Sequence, residues 1–188
     1  TPTPTPTHTP TPTPTNTVLT LQDPLYAGWN LISLPLMPSN TTIGQVLNGI
    51  SGKYDRVFAY ISSQWQLYFP AYPGLPVSTL TDMTPSFGYW IYVTQATTLQ
   101  HTGTLVSSPS IPLQVGWNLV GYPKMTAQPI ATALASCNGK YDRVFGYADG
   151  QWYSYFSAYP NPPISTLTQM EPGKGYWINA TAACTWTP

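Results

Sequence analysis

The sequence predicts a mainly β protein: two tandem small β-sandwich or barrel-like modules, each with one short helix, preceded by a polyproline II-like Thr-Pro arm. A long segment occurs twice, which predicts two domains of one kind. In each copy, β-prone aromatic runs alternate with turn residues, which predicts short antiparallel strands. The division is a Thr/Pro-rich arm at residues 1–17, a first β module at residues 18–104 and a second β module at residues 105–188.

The arm alternates threonine with proline and has too little apolar surface to form a core. Polyproline II geometry suits it because proline fixes φ and this helix does not use the missing amide hydrogens. Stalks of this composition commonly carry O-glycans, and two Asn-x-Thr sequons occur in the modules. The candidate glycosylation sites are Thr1, Thr3, Thr5, Thr7, Thr9, Thr11, Thr13, Thr15, Asn40 and Asn179.

The repeat is visible by direct comparison of the two halves. The motif GKYDRVFAY begins at Gly52 and GKYDRVFGY at Gly139, an offset of 87 residues. The motif Gly-Trp-Asn-Leu begins at Gly28 and again at Gly116, an offset of 88. A two-copy period of this length indicates tandem domains rather than a short-period solenoid.

Each module begins with an extended, aromatic-rich segment, residues 25–34 in the first copy. Residues 41–49 then carry an apolar stripe at helical spacing after polar capping residues, and residues 130–135 repeat that pattern. Residues 87–93 and 97–105 have the composition of further strands. With the hairpin described next, each module is predicted to contain about five strands and one helix.

The clearest element is a β-hairpin. Its two runs, residues 54–61 and 64–69, are separated by Ser62-Ser63, and the second copy has Asp149-Gly150 there, a strong two-residue turn signal. A two-residue loop places Tyr60 opposite Trp65 and Phe58 opposite Leu67. One face then carries Arg56, Phe58, Tyr60, Trp65 and Phe69, and we interpret the arginine as a structural contact to these rings, with ligand contact as the alternative.

The combination of GWNLISLP from Gly28 and GYWI from Gly88, with the partners of both in the second copy, resembles repeat modules of large secreted and cell-surface proteins of bacteria and archaea. The resemblance covers residues 25–93 and 113–180. It implies a structural or adhesive module without catalytic residues of the family.

The composition argues against several functions. Only 6% of residues are charged, six basic and six acidic, and the scattered cations form no stripe for phosphates, so we expect no nucleic-acid partner. No apolar run approaches the length of a membrane span. A neutral, charge-poor surface favours association.

Catalytic and metal-binding patterns are weak. The two histidines, His8 and His101, have no counterparts in the other repeat, and Asp55 and Asp142 are expected to cap turns or pair across strands. No metal-ligand spacing, phosphate-binding loop or dinucleotide fingerprint occurs. We therefore expect no enzyme, no metal and no cofactor other than covalent glycans.

The two cysteines, Cys137 and Cys184, both lie in the second copy, where the first has Ile50 and Thr97. Two thiols that occur together in one of two similar modules are interpreted as disulfide partners, with two unrelated buried thiols as the alternative. A disulfide fits an extracellular or cell-surface location.

The leading functional hypothesis is a structural subunit of an extracellular filament or surface layer, a homopolymer whose arm contacts a neighbouring subunit. The contact candidates are Val18, Leu19, Thr20 and Leu21, a β-prone segment that can add as an edge strand to its own first module or to a neighbour's second module. The first alternative is an adhesin or carbohydrate-binding pair of modules on a glycosylated stalk, and a secreted hydrolase fragment ranks well behind it. The sugar-stacking candidates of the carbohydrate-binding alternative are Trp65, Tyr68, Tyr72, Trp152, Tyr155 and Tyr159, although small β modules also bury such aromatics in their cores.

Overall fold

The structure is a computed structural model that describes residues 17–188. Residues 1–16, and with them all candidate O-glycosylation threonines, lie outside the described residues. The described chain is mainly β, with 47% strand and 8% helix, as the sequence predicts.

The first module contains a four-stranded antiparallel sheet and a two-stranded ribbon. Its elements are β1 (Leu19–Leu25), β2 (Gly28–Ile32), α1 (Ile43–Val46), a 3-10 turn (Asn48–Ile50), β3 (Tyr54–Ile61), β4 (Gln64–Tyr68), β5 (Tyr89–Val93) and β6 (Thr97–Gly103). The sheet has the order β2-β5-β3-β4. The ribbon pairs β1 with β6, from Leu19 opposite Gly103 to Leu25 opposite Thr97, and so joins the two ends of the module.

The second module has the same arrangement. Its elements are β7 (Ile111–Leu113), β8 (Gly116–Gly121), β9 (Gln128–Pro129), α2 (Ile130–Ala133), a 3-10 turn (Ala135–Cys137), β10 (Tyr141–Ala148), β11 (Gln151–Phe156), β12 (Gln169–Met170), β13 (Gly175–Ala180) and β14 (Cys184–Trp186). The sheet order, β8-β13-β10-β11, matches the first module strand for strand, and β7 pairs with β14. Both sheets are open, so the described residues form no closed barrel.

A hydrophobic core fills each module between the inner face of the sheet and a cover made by the ribbon and the helical segment. In the first module, Val57 and Ile91 of the sheet share one buried cluster with Leu25 and Leu99 of the ribbon and with Leu47 after α1. The second module has an equivalent cluster. The outer face of each sheet is left for contacts beyond its own module.

Two predicted elements are shorter than expected. Of the extended segment expected at residues 25–34, Leu25 is the last residue of β1 and residues 28–32 form β2. The chain turns between them, and Gly28 adopts a φ of 101°, a left-handed conformation that suits glycine. The helix expected at residues 41–49 is one α-helical turn followed by a 3-10 turn. In both places the chain changes direction to pass from the sheet to the opposite layer.

The hairpin prediction is confirmed. Tyr60 lies opposite Trp65 and Phe58 opposite Leu67. The loop residues Ser62 and Ser63 have φ values of 51° and 61°, as a two-residue hairpin turn with two left-handed residues requires.

The expectation that the two aspartates cap turns or pair across strands holds for Asp142, whose Oδ1 accepts from Asn179 Nδ2 of β13 at 2.7 Å. It does not hold for Asp55, which pairs with its chain neighbour Arg56. Strand alternation places neighbours on opposite faces, but a β-bulge shifts the register between Tyr54 and Arg56. Arg56 Nε therefore donates to Asp55 Oδ1 at 2.7 Å, and this hydrogen bond lowers the pKa of Asp55. The guanidinium Cζ lies 5.4 Å from the ring centroid of Tyr92, so its cation–π contact is with a ring of β5 and not with the hairpin rings that the sequence suggested.

The two modules pack through equivalent pairs of segments. The end of β2 bonds to the segment before β13, where Ser33 N donates to Gly173 O at 2.7 Å. The end of β8 bonds to the segment before β5, where Gly121 N donates to Ser86 O at 3.1 Å. Because each contact repeats the other with the modules exchanged, the halves are related by an approximate twofold axis.

Glycines permit this close approach. A Cβ on Gly175 would lie 2.7 Å from the carbonyl oxygen of Ile32, and one on Gly88 would lie 2.8 Å from that of Val120. Both positions begin the repeated Gly-Tyr-Trp-Ile motif. The glycine of that motif therefore serves the contact between modules.

The predicted disulfide between Cys137 and Cys184 is confirmed, with a Cα–Cα distance of 5.8 Å. It joins the 3-10 turn after α2 to β14. Among residues 17–188, no helix is long and apolar enough to cross a membrane.

Candidate functional site

Aromatic side chains dominate the outer face of each sheet. Alternation along β3 and β5 turns Val57 and Ile91 into the core, so Phe58 and Trp90 face outward. Trp29 of β2 joins them, with its ring centroid 5.5 Å from that of Phe58 and 6.1 Å from that of Trp90. The second module repeats this set at Trp117, Phe145 and Trp177.

The hairpin tip of each module reaches over the outer face of the other. Tyr147 and Trp152, at the tip of the β10–β11 hairpin, lie 5.1 and 5.5 Å from Trp90 between ring centroids. These contacts create what we call the first cleft, about 310 Å³ in volume and lined by Trp29, Phe58, Trp90, Tyr147 and Trp152.

The equivalent residues, with the roles of the two modules exchanged, form the second cleft. Tyr60 and Trp65, at the tip of the β3–β4 hairpin, lie 5.5 and 6.0 Å from Trp177. This cleft has a volume of about 370 Å³ and is lined by Tyr60, Trp65, Trp117, Phe145 and Trp177. Each residue is the repeat equivalent of one in the first cleft, so the molecule carries two copies of one site.

Both clefts open to solvent. Trp65 and Trp152 are 50% and 55% exposed, and Trp117 is 41% exposed, whereas Trp186 of the second core is fully buried. Neither lining includes a charged or amide side chain. The clefts therefore suit an uncharged ligand with apolar rings or edges.

The indole N–H groups of the clefts are free to bind such a ligand. Within residues 17–188, Trp186 Nε1 donates to Ala133 O at 2.6 Å, and no cleft tryptophan donates to an acceptor. The buried side-chain polar atoms without a partner in this part of the chain are Asp23 Oδ2 and His101 Nε2. The cleft indoles thus make no N–H hydrogen bond within the described residues and retain this donor for a ligand.

The structure separates the six sugar-stacking candidates into three pairs. Trp65 and Trp152 lie in the clefts. Tyr68 and Tyr155 do not qualify, because they lie three residues further along β4 and β11, which turns them inward with only 8% and 6% exposure. Tyr72 and Tyr159 are exposed, on the loops beyond those strands, and line neither cleft.

The subunit-contact candidates lie on β1 and just before it. Leu19, Thr20 and Leu21 pair with Gly103, Thr102 and His101 of β6. Val18 precedes the strand and is 64% exposed. Of the two predicted pairings for this segment, the structure shows the one with its own first module.

The two N-glycosylation candidates have different surroundings. Asn40 is exposed, and its Oδ1 accepts a hydrogen bond from Thr42 N at 2.9 Å. Asn179 lies inside β13, and its Nδ2, the atom to which a glycan attaches, donates to Asp142 Oδ1 at 2.7 Å. Asn40 is the better placed of the two acceptors.

The titratable residues do not converge on the clefts. Asp23 is buried between the modules, where Oδ1 accepts from Lys174 Nζ at 2.7 Å and Oδ2 lies 3.6 Å from His101 Nε2. No cluster of three histidine, cysteine, aspartate or glutamate residues suited to a metal occurs among residues 17–188. The candidate site is therefore the pair of clefts, which are lined by tryptophan, tyrosine and phenylalanine.

No family model, curated protein or solved structure matches this chain. The clefts were only partly accessible to sequence reasoning, which placed Phe58, Tyr60 and Trp65 on one face of the hairpin. It missed that Tyr60 and Trp65 complete a site with Trp177 of the other module. The missed signal is the duplication of every cleft aromatic at the repeat offset.

Proposed function

We propose that this chain is a structural subunit of an extracellular filament or surface layer, a homopolymer assembled through its aromatic clefts. The observation that carries the proposal is the pair of equivalent, solvent-open aromatic clefts. Large contiguous apolar surface is uncommon on monomeric proteins and typically marks an interaction site. Exposed tryptophan and tyrosine are also the side chains that most often dominate binding energy at protein interfaces.

The rest of the surface offers little to oppose association. Twelve of 188 residues are charged, and Asp55 and Asp142 are each paired with the neighbouring arginine. Net charge near zero reduces repulsion between copies. Two equivalent sites on one subunit allow it to contact two others, which is what a chain of subunits needs.

An extracellular location belongs to the same proposal. The disulfide is compatible with an oxidising compartment, and glycans on the arm threonines and Asn40 would keep a charge-poor polymer hydrated. Mass spectrometry of the native protein tests this part. We expect a mass above the 20.6 kDa of the polypeptide, and a mass equal to that of the bare chain would contradict glycosylation.

Assembly is tested by electron microscopy and sedimentation of the purified full chain over a range of concentrations. We expect regular polymers in the native protein and their loss in the double variant Trp65→Ser/Trp152→Ser. The matched control is Tyr72→Ser/Tyr159→Ser, which removes two similarly exposed aromatics outside the clefts, one from each module, and should still assemble. A native protein that stays monomeric at every concentration would overturn the proposal.

Carbohydrate binding is the second candidate, favoured by the exposure of Trp65 and Trp152. Aromatic faces in open clefts can stack on sugar rings. In this case, soluble extracellular polysaccharides should change tryptophan fluorescence saturably, and the Trp65→Ser/Trp152→Ser variant should lose that response. No fluorescence change across a panel of neutral polysaccharides would exclude this candidate.

A further inference from the structure

The two clefts and the Thr-Pro arm have complementary chemistry. We propose that the clefts bind the Thr-Pro arm, residues 1–16, of a second copy of this chain, held as a polyproline II helix. The inference rests on the proposed function, since it names the segment through which one subunit would hold the next. Proline-rich segments are typically recognised in aromatic-lined grooves, because the polyproline II helix is preformed and loses little entropy on binding.

The shape of each cleft suits a rod. In the first cleft, Trp29, Phe58 and Trp90 come from the sheet of one module, and Tyr147 and Trp152 come from the hairpin tip of the other. Aromatic rings therefore line two walls contributed by different modules. A rod between these walls makes ring contacts on two sides and leaves its remaining side in solvent.

The hydrogen-bonding groups also match. A proline has a carbonyl acceptor and no N–H donor, and the cleft tryptophans present N–H donors without acceptors in residues 17–188. A sugar ring instead carries hydroxyls that need both donors and acceptors, and each cleft offers one tyrosine hydroxyl as its only side-chain oxygen. Burying unpaired hydroxyls is unfavourable. A Thr-Pro unit carries one hydroxyl where a sugar ring carries several, so the linings favour the arm.

Held as a polyproline II helix, the arm sequence would place a similar mixture of residues on each face. It contains two Thr-Pro-Thr-Pro-Thr-Pro stretches, residues 1–6 and 9–14, separated by Thr7 and His8. With three residues per turn, each face of a polyproline II helix alternates threonine and proline about 9 Å apart. One face can thus contact the rings of a cleft while threonines on the other two carry glycans into solvent.

The path of the chain favours an arm from a neighbour. The arm continues into β1, and β1 lies in the ribbon that covers the inner face of the first sheet. The clefts lie on the outer faces of the sheets. A subunit's own arm would have to turn around an edge of the sheet, whereas the arm of an adjacent subunit can approach the outer face directly.

The test uses the full chain with the six arm prolines replaced by alanine, so that its own arm does not compete. The probe is an unglycosylated synthetic peptide of residues 1–16, titrated while tryptophan fluorescence is followed. We expect saturable binding that persists at high salt, because neither partner carries a charge cluster. A peptide with alanine for every proline is the negative control and should not bind.

Cleft variants locate the binding site. In the same background, Trp65→Ser/Trp152→Ser should weaken binding by at least roughly tenfold, the loss expected when hot-spot tryptophans are truncated. Trp65→Phe/Trp152→Phe keeps an aromatic ring at each position but removes two indole N–H donors. It should lose less affinity for the peptide than the serine variant. Tyr72→Ser/Tyr159→Ser should bind as tightly as the parent. Equal affinity in the parent and the tryptophan-to-serine variant would overturn the inference.

A parallel assembly assay separates this inference from the proposed function. If the native chain polymerises and both the arm-proline and the cleft variants still do so, the arm is not the cleft ligand, although the subunit proposal stands. If the peptide binds through the clefts but the native chain remains monomeric, the arm is the cleft ligand within its own subunit, and the second copy in the inference is overturned. A cleft that binds polysaccharide and not the peptide would overturn the inference in favour of a sugar site.

Discussion

The two modules have the same strand order but hold their ribbons in different ways. In the first, β1 and β6 pair over the whole span from Leu19–Leu25 to Thr97–Gly103. In the second, β7 and β14 pair only from Ile111 opposite Trp186 to Leu113 opposite Cys184. The shorter ribbon is the one tied to the core by the disulfide. Cys184 pairs with Leu113 as Thr97 pairs with Leu25, so the disulfide lies at the end that both ribbons share, and the additional backbone pairs of the first ribbon lie at the other end.

The two cores also differ in the sizes of two equivalent residues beneath the ribbons. Leu99 of β6 corresponds to Trp186 of β14, and Val46 of α1 corresponds to Ala133 of α2 at the same offset. Trp186 is fully buried and donates its indole N–H to Ala133 O. The larger ring occupies space that the smaller alanine leaves, so volume is conserved across the pair.

A third difference lies between the modules. Asp23 of the first ribbon bonds to Lys174 of the second module. The repeat equivalents are Ile111 and Phe87, which line one pocket of about 260 Å³. One side of the approximate twofold axis therefore has an ion pair where the other has apolar residues. The repeated fold accepts either chemistry at this contact.

The largest expected effect comes from the disulfide. Cys137→Ser/Cys184→Ser should lower the free energy of unfolding of the second module by about 4 kcal/mol, because the bond closes a 47-residue loop. Denaturant unfolding followed by tryptophan fluorescence should then show two transitions. Reductant should produce the same shift in the native protein and none in the variant. A single unshifted transition would show that the short ribbon is stable without its link.

Breaking the ion pair should have the next largest effect. Lys174→Phe leaves the buried Asp23 carboxylate without its cation and should cost about 3 kcal/mol. Asp23→Ile/Lys174→Phe copies the apolar pair of the other side and should restore most of that stability. Lys140→Phe is an exposed control that should change unfolding by less than about 0.5 kcal/mol. A double variant no more stable than Lys174→Phe would show that the two sides are not interchangeable.

Exchanging the core residues should have a smaller effect. Trp186→Leu leaves a cavity and an unpaired carbonyl at Ala133 and should cost about 2 kcal/mol. Ala133→Val alone should also destabilise, because it crowds the indole. The double variant Ala133→Val/Trp186→Leu has the residue pair of the first module. Its loss of stability should be smaller than the sum of the losses in the two single variants. Strict additivity in thermal unfolding would contradict size compensation.

The features that the sequence predicted well are those fixed locally or by comparing the repeats. The register of the β3–β4 hairpin follows from Ser62-Ser63 and strand alternation, and the disulfide follows from two cysteines confined to one copy. The contact between Asp55 and Arg56 was missed because a bulge overrides alternation.

The clefts needed information that no single segment holds. Trp65 contacts Trp177 only because the modules pack tightly at Gly88 and Gly175. Strand patterns identify the outward-facing rings but not the surface that each ring meets. The buried state of Tyr68, in contrast, could have been read from its three-residue spacing from Trp65 along one strand.

The smallest expected effect concerns the hairpin turns. Ser62 and Ser63 have φ values of 51° and 61°, whereas the second module has Asp149 at 53° and Gly150 at 77°. Left-handed backbone costs a serine about 1 kcal/mol or more, but glycine also gives the unfolded chain more freedom. Ser63→Gly should therefore stabilise the protein by only about 0.5 kcal/mol, and Gly150→Ser should destabilise it by a similar amount. Chemical denaturation of the two single variants and of the double exchange measures this. Effects of the same sign in both single variants would mean that the two turns do not have equivalent backbone requirements.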